Sequence, residues 1–112
     1  MKKIFAAALV LMMSSVSVFA FDLYINNKSD YDIHELYVSK SKSSKWGPDQ
    51  LGDEQIDAGE RYRLRNVSAG VYDLKLIDEE GTECVVEEAE FDESKEWTIT
   101  NKMLERCEKF GK

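Results

Sequence analysis

Apolar and polar residues alternate along most of this chain, in short runs separated by turn-forming residues. Phe21, Leu23 and Ile25 share one face of a first predicted strand, and the polar run Asn26–Asp30 ends it. Alternation with a period of two is typical of a β-strand that buries one of its faces. The pattern therefore predicts an all-β fold.

Five more runs have this character. We predict strands at Ile33–Ser39, Arg61–Val67, Val71–Asp78, Thr82–Phe91 and Lys95–Thr100. Short strands at close spacing with turn residues between them are typical of a sandwich or a barrel. The fold class that we predict is a single antiparallel β-sandwich of six or seven strands.

Two local features modify this picture. The apolar phase of the fifth strand slips near Val85 and Val86, which predicts a β-bulge. After the last strand, Met103, Leu104 and Cys107 fall at helical spacing behind Asn101, a residue that suits a helix N-cap. We therefore expect a short C-terminal helix.

The first twenty residues follow a different pattern. Lys2 and Lys3 precede the apolar run Ile4–Met13, and Val18-Phe19-Ala20 provides a small-residue cleavage pattern. This arrangement predicts a secretory signal peptide over residues 1–20 and one mature domain over residues 21–112. No lipobox cysteine follows the signal, so we expect a periplasmic or secreted protein without a membrane anchor.

Charge narrows the range of partners. The full chain carries a formal charge of −7, and removal of the two signal-peptide lysines makes the mature chain more acidic still. Such a chain repels nucleic acid and anionic lipid at long range, so we expect neither as a partner. A basic protein partner or a divalent cation is compatible with this charge.

Cys84 and Cys107 are the only cysteines. An exported chain enters an oxidising compartment, so we expect them to form a disulfide. A bridge of this span would contribute about 3 kcal/mol by the chain-entropy estimate. Two free thiols are the alternative.

A long loop over residues 40–53 contains the segment Trp46-Gly47-Pro48-Asp49-Gln50-Leu51-Gly52. In one interpretation, Trp46 contacts a partner and Asp49 accepts a hydrogen bond or binds a metal. In the other, Trp46 and Leu51 fold back as a plug on the core, and Asp49 caps loop amides. The second is favoured, because ordering an unanchored loop of this length would cost much entropy.

A stripe of arginines marks the third strand. Tyr62 and Leu64 are predicted to point inward, and Arg61, Arg63 and Arg65 outward. The stripe could bind a carboxylate or an acidic partner. It could equally form ion pairs across strands. The acids that we expect to pair with it are Asp73, Glu83 and Glu87.

Acidic turns suggest a second type of site. Asp49, Asp57 and Asp78 could contribute oxygens to a calcium ion, which requires six to eight of them. The chain has no D-x-D-x-D-G loop, however, and aspartate is an ordinary turn residue. His34 is the only histidine, and no catalytic spacing surrounds it. We therefore expect no enzyme activity and no cofactor, with calcium as the alternative.

Several motifs occur together in the same order as in one family. They are Leu36-Tyr37-Val38-Ser39, the W-G-x-D-x-L-G segment at Trp46–Gly52, Asp57-Ala58-Gly59, Tyr72-Asp73-Leu74-Lys75 and the acidic turn Asp78–Gly81. The chain thus resembles small exported bacterial proteins of unknown function. The resemblance implies a compact β-sandwich and no reaction. The family pattern has a cysteine just before the Y-D element, where this chain has Gly70 and Val71.

These observations favour an exported, non-enzymatic binding module that engages another envelope or exported protein. The residues that we expect to contact the partner are Trp46, Asp49, Leu51, Arg61, Arg63 and Arg65. The alternative is a sandwich that binds a small ligand or calcium through turn carboxylates.

Overall fold

A computed structural model describes residues 20–111. The predicted signal peptide, apart from Ala20, lies outside the described residues. The described part contains six strands and one short helix. Their bounds are β1 (Ala20–Asn27), β2 (Glu35–Lys40), β3 (Arg61–Ser68), β4 (Gly70–Ile77), β5 (Glu83–Phe91), β6 (Glu96–Ile99) and α1 (Asn101–Leu104).

The strands form two three-stranded sheets, ordered β3–β1–β6 and β2–β4–β5. Their buried faces contribute to one apolar core, which confirms the predicted all-β sandwich. One pairing departs from an entirely antiparallel fold, since β6 runs parallel to β1. The difference arises because the chain leaves the end of β5 and enters the other sheet, instead of forming a hairpin with β5.

Alternation places the core residues as expected. Leu74 and Leu76 on β4 are fully buried, as are Leu23 and Ile25 on β1. Lys75 lies between the two buried leucines and is only half-buried. Because successive side chains point to opposite faces of a strand, Lys75 belongs to the outer face of the β2–β4–β5 sheet.

The bulge predicted in β5 is present two residues beyond its expected place. Leu74 pairs with Val86 and Tyr72 with Ala89, so Asp73 faces two residues of β5. The second of them, Glu88, has a φ of 55°. Its N–H donates to Asp73 Oδ1 at 3.0 Å, which holds this uncommon conformation in place.

A second bulge, in β3, was not predicted. Phe21 pairs with Val67 and Leu23 with Leu64, so Asp22 on β1 faces two residues of β3. Each sheet thus has an aspartate opposite its bulge.

The C-terminal segment closes one end of the sandwich. The predicted disulfide Cys84–Cys107 is formed, with the two Cα atoms 5.4 Å apart. Beyond it, Phe110 is buried and meets the Tyr31 ring edge-on. Gly111 follows with a φ of 78°, and a Cβ there would lie 2.2 Å from the Tyr31 ring. This position therefore requires glycine.

The predicted C-terminal helix is present, but it begins one residue earlier than expected and ends at Leu104, before Cys107. Thr100, rather than Asn101, accepts the N–H of Met103 through its side chain. The Asn101 side chain instead makes two hydrogen bonds with Asp30, in the turn after β1. No helix within residues 20–111 is long and apolar enough to cross a bilayer.

Candidate functional site

The loop between β2 and β3 is anchored by Asp49 and Leu51. Leu51 is 3% exposed and belongs to the core. Asp49 Oδ1 accepts the N–H of Leu36 at 2.9 Å and the N–H of Leu51 at 3.0 Å. These contacts match the structural interpretation of the two residues, and burial removes Leu51 from any contact surface.

The same loop covers the edge of β2. The Gln50 N–H donates to the Leu36 carbonyl at 2.7 Å, and the Ser39 hydroxyl donates to the Lys45 carbonyl at 2.7 Å. Between these two anchors the loop passes alongside the strand. An edge strand with exposed backbone groups would invite pairing with another chain, and the loop prevents that here.

Trp46 does not plug the core. Its side chain is half-exposed, and its ring lies 5.1 Å from the Lys75 ammonium on the outer face of the β2–β4–β5 sheet. The sequence left two interpretations of this ring open: it packs on the core as a plug, or it lies on the surface as a contact. The structure places it outside.

Four side chains define a surface that we call the aromatic face: Tyr37, Trp46, Lys75 and Val85. Lys75 pairs with Tyr37 on one side and with Val85 on the other, in adjacent strands. Its ammonium lies 5.0 Å from the centre of the Tyr37 ring as well as close to Trp46. A cation over two ring faces is attracted to both, so Lys75 joins the two rings in one group.

The electrostatics of this face keep Tyr37 neutral. Its hydroxyl donates a hydrogen bond to Glu35, and this bond, with burial and the charge of Glu35, raises the pKa of Tyr37 to about 12. The Tyr37 ring beside Lys75 is therefore neutral throughout the physiological range.

The apolar part of the surface extends along β4 and β5. Val71 is 42% exposed and Val85 is 45% exposed, and they are the exposed large hydrophobic residues within the described part of the chain. Both point outward from the β2–β4–β5 sheet, since their neighbours Tyr72 and Cys84 point inward. Single exposed apolar residues are ordinary, but here two of them share one face with two half-exposed aromatic rings.

The arginine stripe lies on the outer face of the other sheet. The Arg63 guanidinium contacts the Asp22 carboxylate at 2.6 Å. Arg61 lies over the Tyr24 ring at 4.3 Å from its centre and 4.0 Å from a Glu96 oxygen. Two of the three arginines thus have partners within their own sheet.

Those partners are not the predicted ones. Asp73, Glu83 and Glu87 belong to the β2–β4–β5 sheet and cannot reach across the core to the stripe. The prediction that the arginines form ion pairs across strands is confirmed, but the predicted acidic partners are wrong. Arg65 makes no ion pair with any other described residue.

The charge pairing on this face shifts two pKa values. The hydrogen bond from Arg63 lowers the pKa of the Asp22 carboxyl, with further contributions from the charge of Arg63 and a hydrogen bond from the Asn66 backbone. The same hydrogen bond to Asp22 raises the pKa of Arg63. The pair therefore stays ionised over the physiological range.

The residues predicted to form one binding surface are thus separated. Trp46 lies on one outer face of the sandwich, and Arg61, Arg63 and Arg65 lie on the opposite one. They cannot contact the same flat partner. The residues that complete the aromatic face, Tyr37, Lys75 and Val85, were not predicted as site residues. The signal was present in the alternation, since Lys75 lies between two buried leucines.

The carboxylates considered for calcium occupy three separate turns. Asp78 is 3% exposed and accepts the N–H groups of Glu80 and Thr82, while its other oxygen accepts the Gly111 N–H. Asp57 accepts the side-chain amide of Gln55. Among residues 20–111, no three acidic, histidine or cysteine side chains come together in a group that could hold a metal ion.

A scan against protein-family models, a search of curated proteins and a search of solved structures each found no significant match. The resemblance to small exported β-sandwich proteins therefore stays a prediction.

Proposed function

We propose that this protein is an exported, non-enzymatic binding module that contacts another envelope or exported protein through its aromatic face. The observation that carries the proposal is the group formed by Tyr37 and Trp46 around the Lys75 ammonium. Aromatic residues are enriched at the centres of protein interfaces, where they bury a large area for a small loss of conformational entropy.

Rigidity supports this choice of surface. The Trp46 ring contacts the Lys75 ammonium, and its loop is hydrogen-bonded to β2 through Ser39 and anchored in the core by Leu51. A surface whose side chains are already ordered loses less entropy when a partner binds. The arginine face is a weaker candidate, because Arg61 and Arg63 are already engaged by their own sheet.

Export and the absence of catalysis are parts of the same proposal. The disulfide supports an oxidising compartment. Because Cys84 and Cys107 are bonded to each other, neither offers a free thiolate for nucleophilic chemistry.

Site-specific photo-crosslinking in cells that export the full chain tests the proposal. A photoreactive amino acid is placed at Val85 on the aromatic face or at Arg63 on the opposite face. We expect a crosslink to a second protein from position 85 and none from position 63. Trp46→Ala should abolish the crosslink from position 85, whereas Arg65→Ala should leave it unchanged.

The controls separate binding from folding. Trp46 lies outside the core, so we expect Trp46→Ala to keep the circular dichroism spectrum and the melting temperature of the parent. Equal crosslinking from positions 85 and 63 would contradict the proposal. Unfolding of the Trp46→Ala variant would show instead that the ring has a structural role.

A further inference from the structure

Acidic side chains line the border of the aromatic face along β5. Glu83, Glu87, Glu88 and Glu90 are all exposed, and we call this group the acidic rim. The rim lies on an edge strand of the sheet, because β5 pairs with β4 alone among the described strands.

The two exposed valines flank this rim. One surface cleft contains Val71 with Glu88 and Glu90, and a second contains Val85 with Glu87 and Glu88. Glu88 therefore lies at the junction of two clefts, each of which has an apolar wall. Asp73 holds Glu88 in this position through the hydrogen bond at the bulge.

From this arrangement we infer that the partner presents a basic segment, rich in lysine or arginine with apolar side chains between them, that binds along β5. The inference rests on the proposed function and names the chemistry of the partner. Its apolar side chains would cover Val71 and Val85, while its cations would pair with the acidic rim. An interface with complementary charges gains in association rate and in specificity.

Cations beside the clefts restrict where the lysine or arginine side chains of the partner can lie. Lys42 lies in the first cleft, Arg106 in the second, and Lys75 at the centre of the aromatic face. Each would repel a partner cation placed next to it. The attractive path for a basic segment is thus the narrow one along Glu87, Glu88 and Glu90.

The test uses the purified exported protein and a synthetic extended peptide of alternating lysine and valine. A peptide with glutamate in place of each lysine serves as the charge-reversed probe. In a nuclear magnetic resonance titration, the lysine peptide should shift the signals of Val71, Val85 and Glu88. The glutamate peptide should not shift them.

A variant that removes three charges from the rim is Glu87→Gln/Glu88→Asn/Glu90→Gln. Asparagine is chosen at position 88 because it tolerates a positive φ. This variant should bind the lysine peptide about tenfold more weakly, because it loses three exposed charge pairs that are each weak. The control variant Asp53→Asn/Glu54→Gln/Glu93→Gln loses the same charge elsewhere and should bind as the parent does.

The outcomes separate the two proposals. Equal weakening in both triple variants would show attraction by net charge alone and would overturn the inference. So would equal binding of the glutamate peptide. If the crosslink from position 85 still depends on Trp46 in either case, the proposed function stands and only the basic partner is rejected. Loss of that dependence would reject the proposed function itself.

Discussion

The two outer faces of the sandwich hold their cations in different ways. On the β3–β1–β6 sheet, Arg63 is neutralised by the Asp22 carboxylate. On the β2–β4–β5 sheet, Lys75 is held by the rings of Tyr37 and Trp46. An ion pair satisfies its two charges within the sheet. A cation over aromatic rings keeps its charge and leaves apolar surface beside it exposed, and this difference is the reason for proposing the aromatic face as the contact surface.

The largest expected effect concerns the one disulfide, which ties β5 of the β2–β4–β5 sheet to the C-terminal segment. Cys84→Ser/Cys107→Ser should destabilise the protein by about 3 kcal/mol, because the unfolded chain regains the entropy that the bridge removes. For a domain of this size, the melting temperature should fall by about 10 °C or more. Thermal unfolding followed by circular dichroism measures the change.

Hydrogen exchange sharpens this comparison of the two sheets. In the double serine variant, the amides of β5 should lose more protection than those of β3, since Cys84 lies on β5. Equal loss in both sheets would show that the bridge stabilises the fold only as a whole. An unchanged melting temperature would contradict the expected contribution of the bridge.

The next effect concerns the loop that carries Trp46 to the aromatic face. Asp49→Ala removes the acceptor of the Leu36 and Leu51 N–H groups. Leaving these half-buried donors without a partner should cost about 1–2 kcal/mol. Chemical denaturation, with and without calcium, measures the loss, which we expect to be the same in both conditions. A second measurement, thermal melting, tests the alternative. If calcium raises the melting temperature of the parent and Asp49→Ala abolishes that rise, Asp49 belongs to a metal site.

The faces should also differ at alkaline pH. The folded state favours neutral Tyr37, whose ordinary pKa of 10.0 is raised to about 12. Its contribution to stability is therefore complete below pH 10.0 and is lost as the pH rises through about 12. An ultraviolet titration of the tyrosines should contain a late ionisation step that Tyr37→Phe removes.

Glu35→Gln serves as the control for this titration. It keeps a hydrogen-bond acceptor but removes the charge, so the late step should move toward pH 10.0. If the late step remains in Tyr37→Phe, it belongs to another tyrosine. Tyr62 is the next to test, because burial also raises its pKa.

The smallest effect is expected at acidic pH on the opposite face. The folded state favours ionised Asp22, whose pKa lies below its ordinary value of 3.8. This contribution is complete above that value and is lost as the pH falls through the folded-state pKa. In a carboxyl titration by nuclear magnetic resonance, Arg63→Gln should move the pKa of Asp22 back toward 3.8. An unchanged Asp22 pKa would show that Arg63 is not its cause.

Local patterns in the sequence predicted most of the fold. The strand positions followed from alternation, and the bulge in β5 followed from its break near Val85. The disulfide followed from the predicted oxidising compartment and from the number of cysteines, because only Cys84 and Cys107 were available to pair. Ordering the long loop without anchors would cost much entropy, and this cost favoured the anchoring roles that Asp49 and Leu51 have. These inferences depend on each residue and its near neighbours in the chain.

The candidate site was predicted less well. The sequence grouped Trp46 with the arginine stripe, and the sandwich separates them. It also paired the stripe with Asp73, Glu83 and Glu87, which belong to the other sheet. Alternation shows that a side chain points outward, but it does not show which of the two outer faces the strand belongs to.

The sequence by itself thus determined which strand residues are buried, where the strands turn and which cysteines are linked. These properties depend on backbone geometry, on the transfer of apolar side chains from water and on the small number of thiols. Only the tertiary structure decided that β6 pairs with β1, and that Lys75 lies between Tyr37 and Trp46. Contacts between distant segments depend on how the sheets assemble, and strands with the same alternating pattern can occupy either sheet.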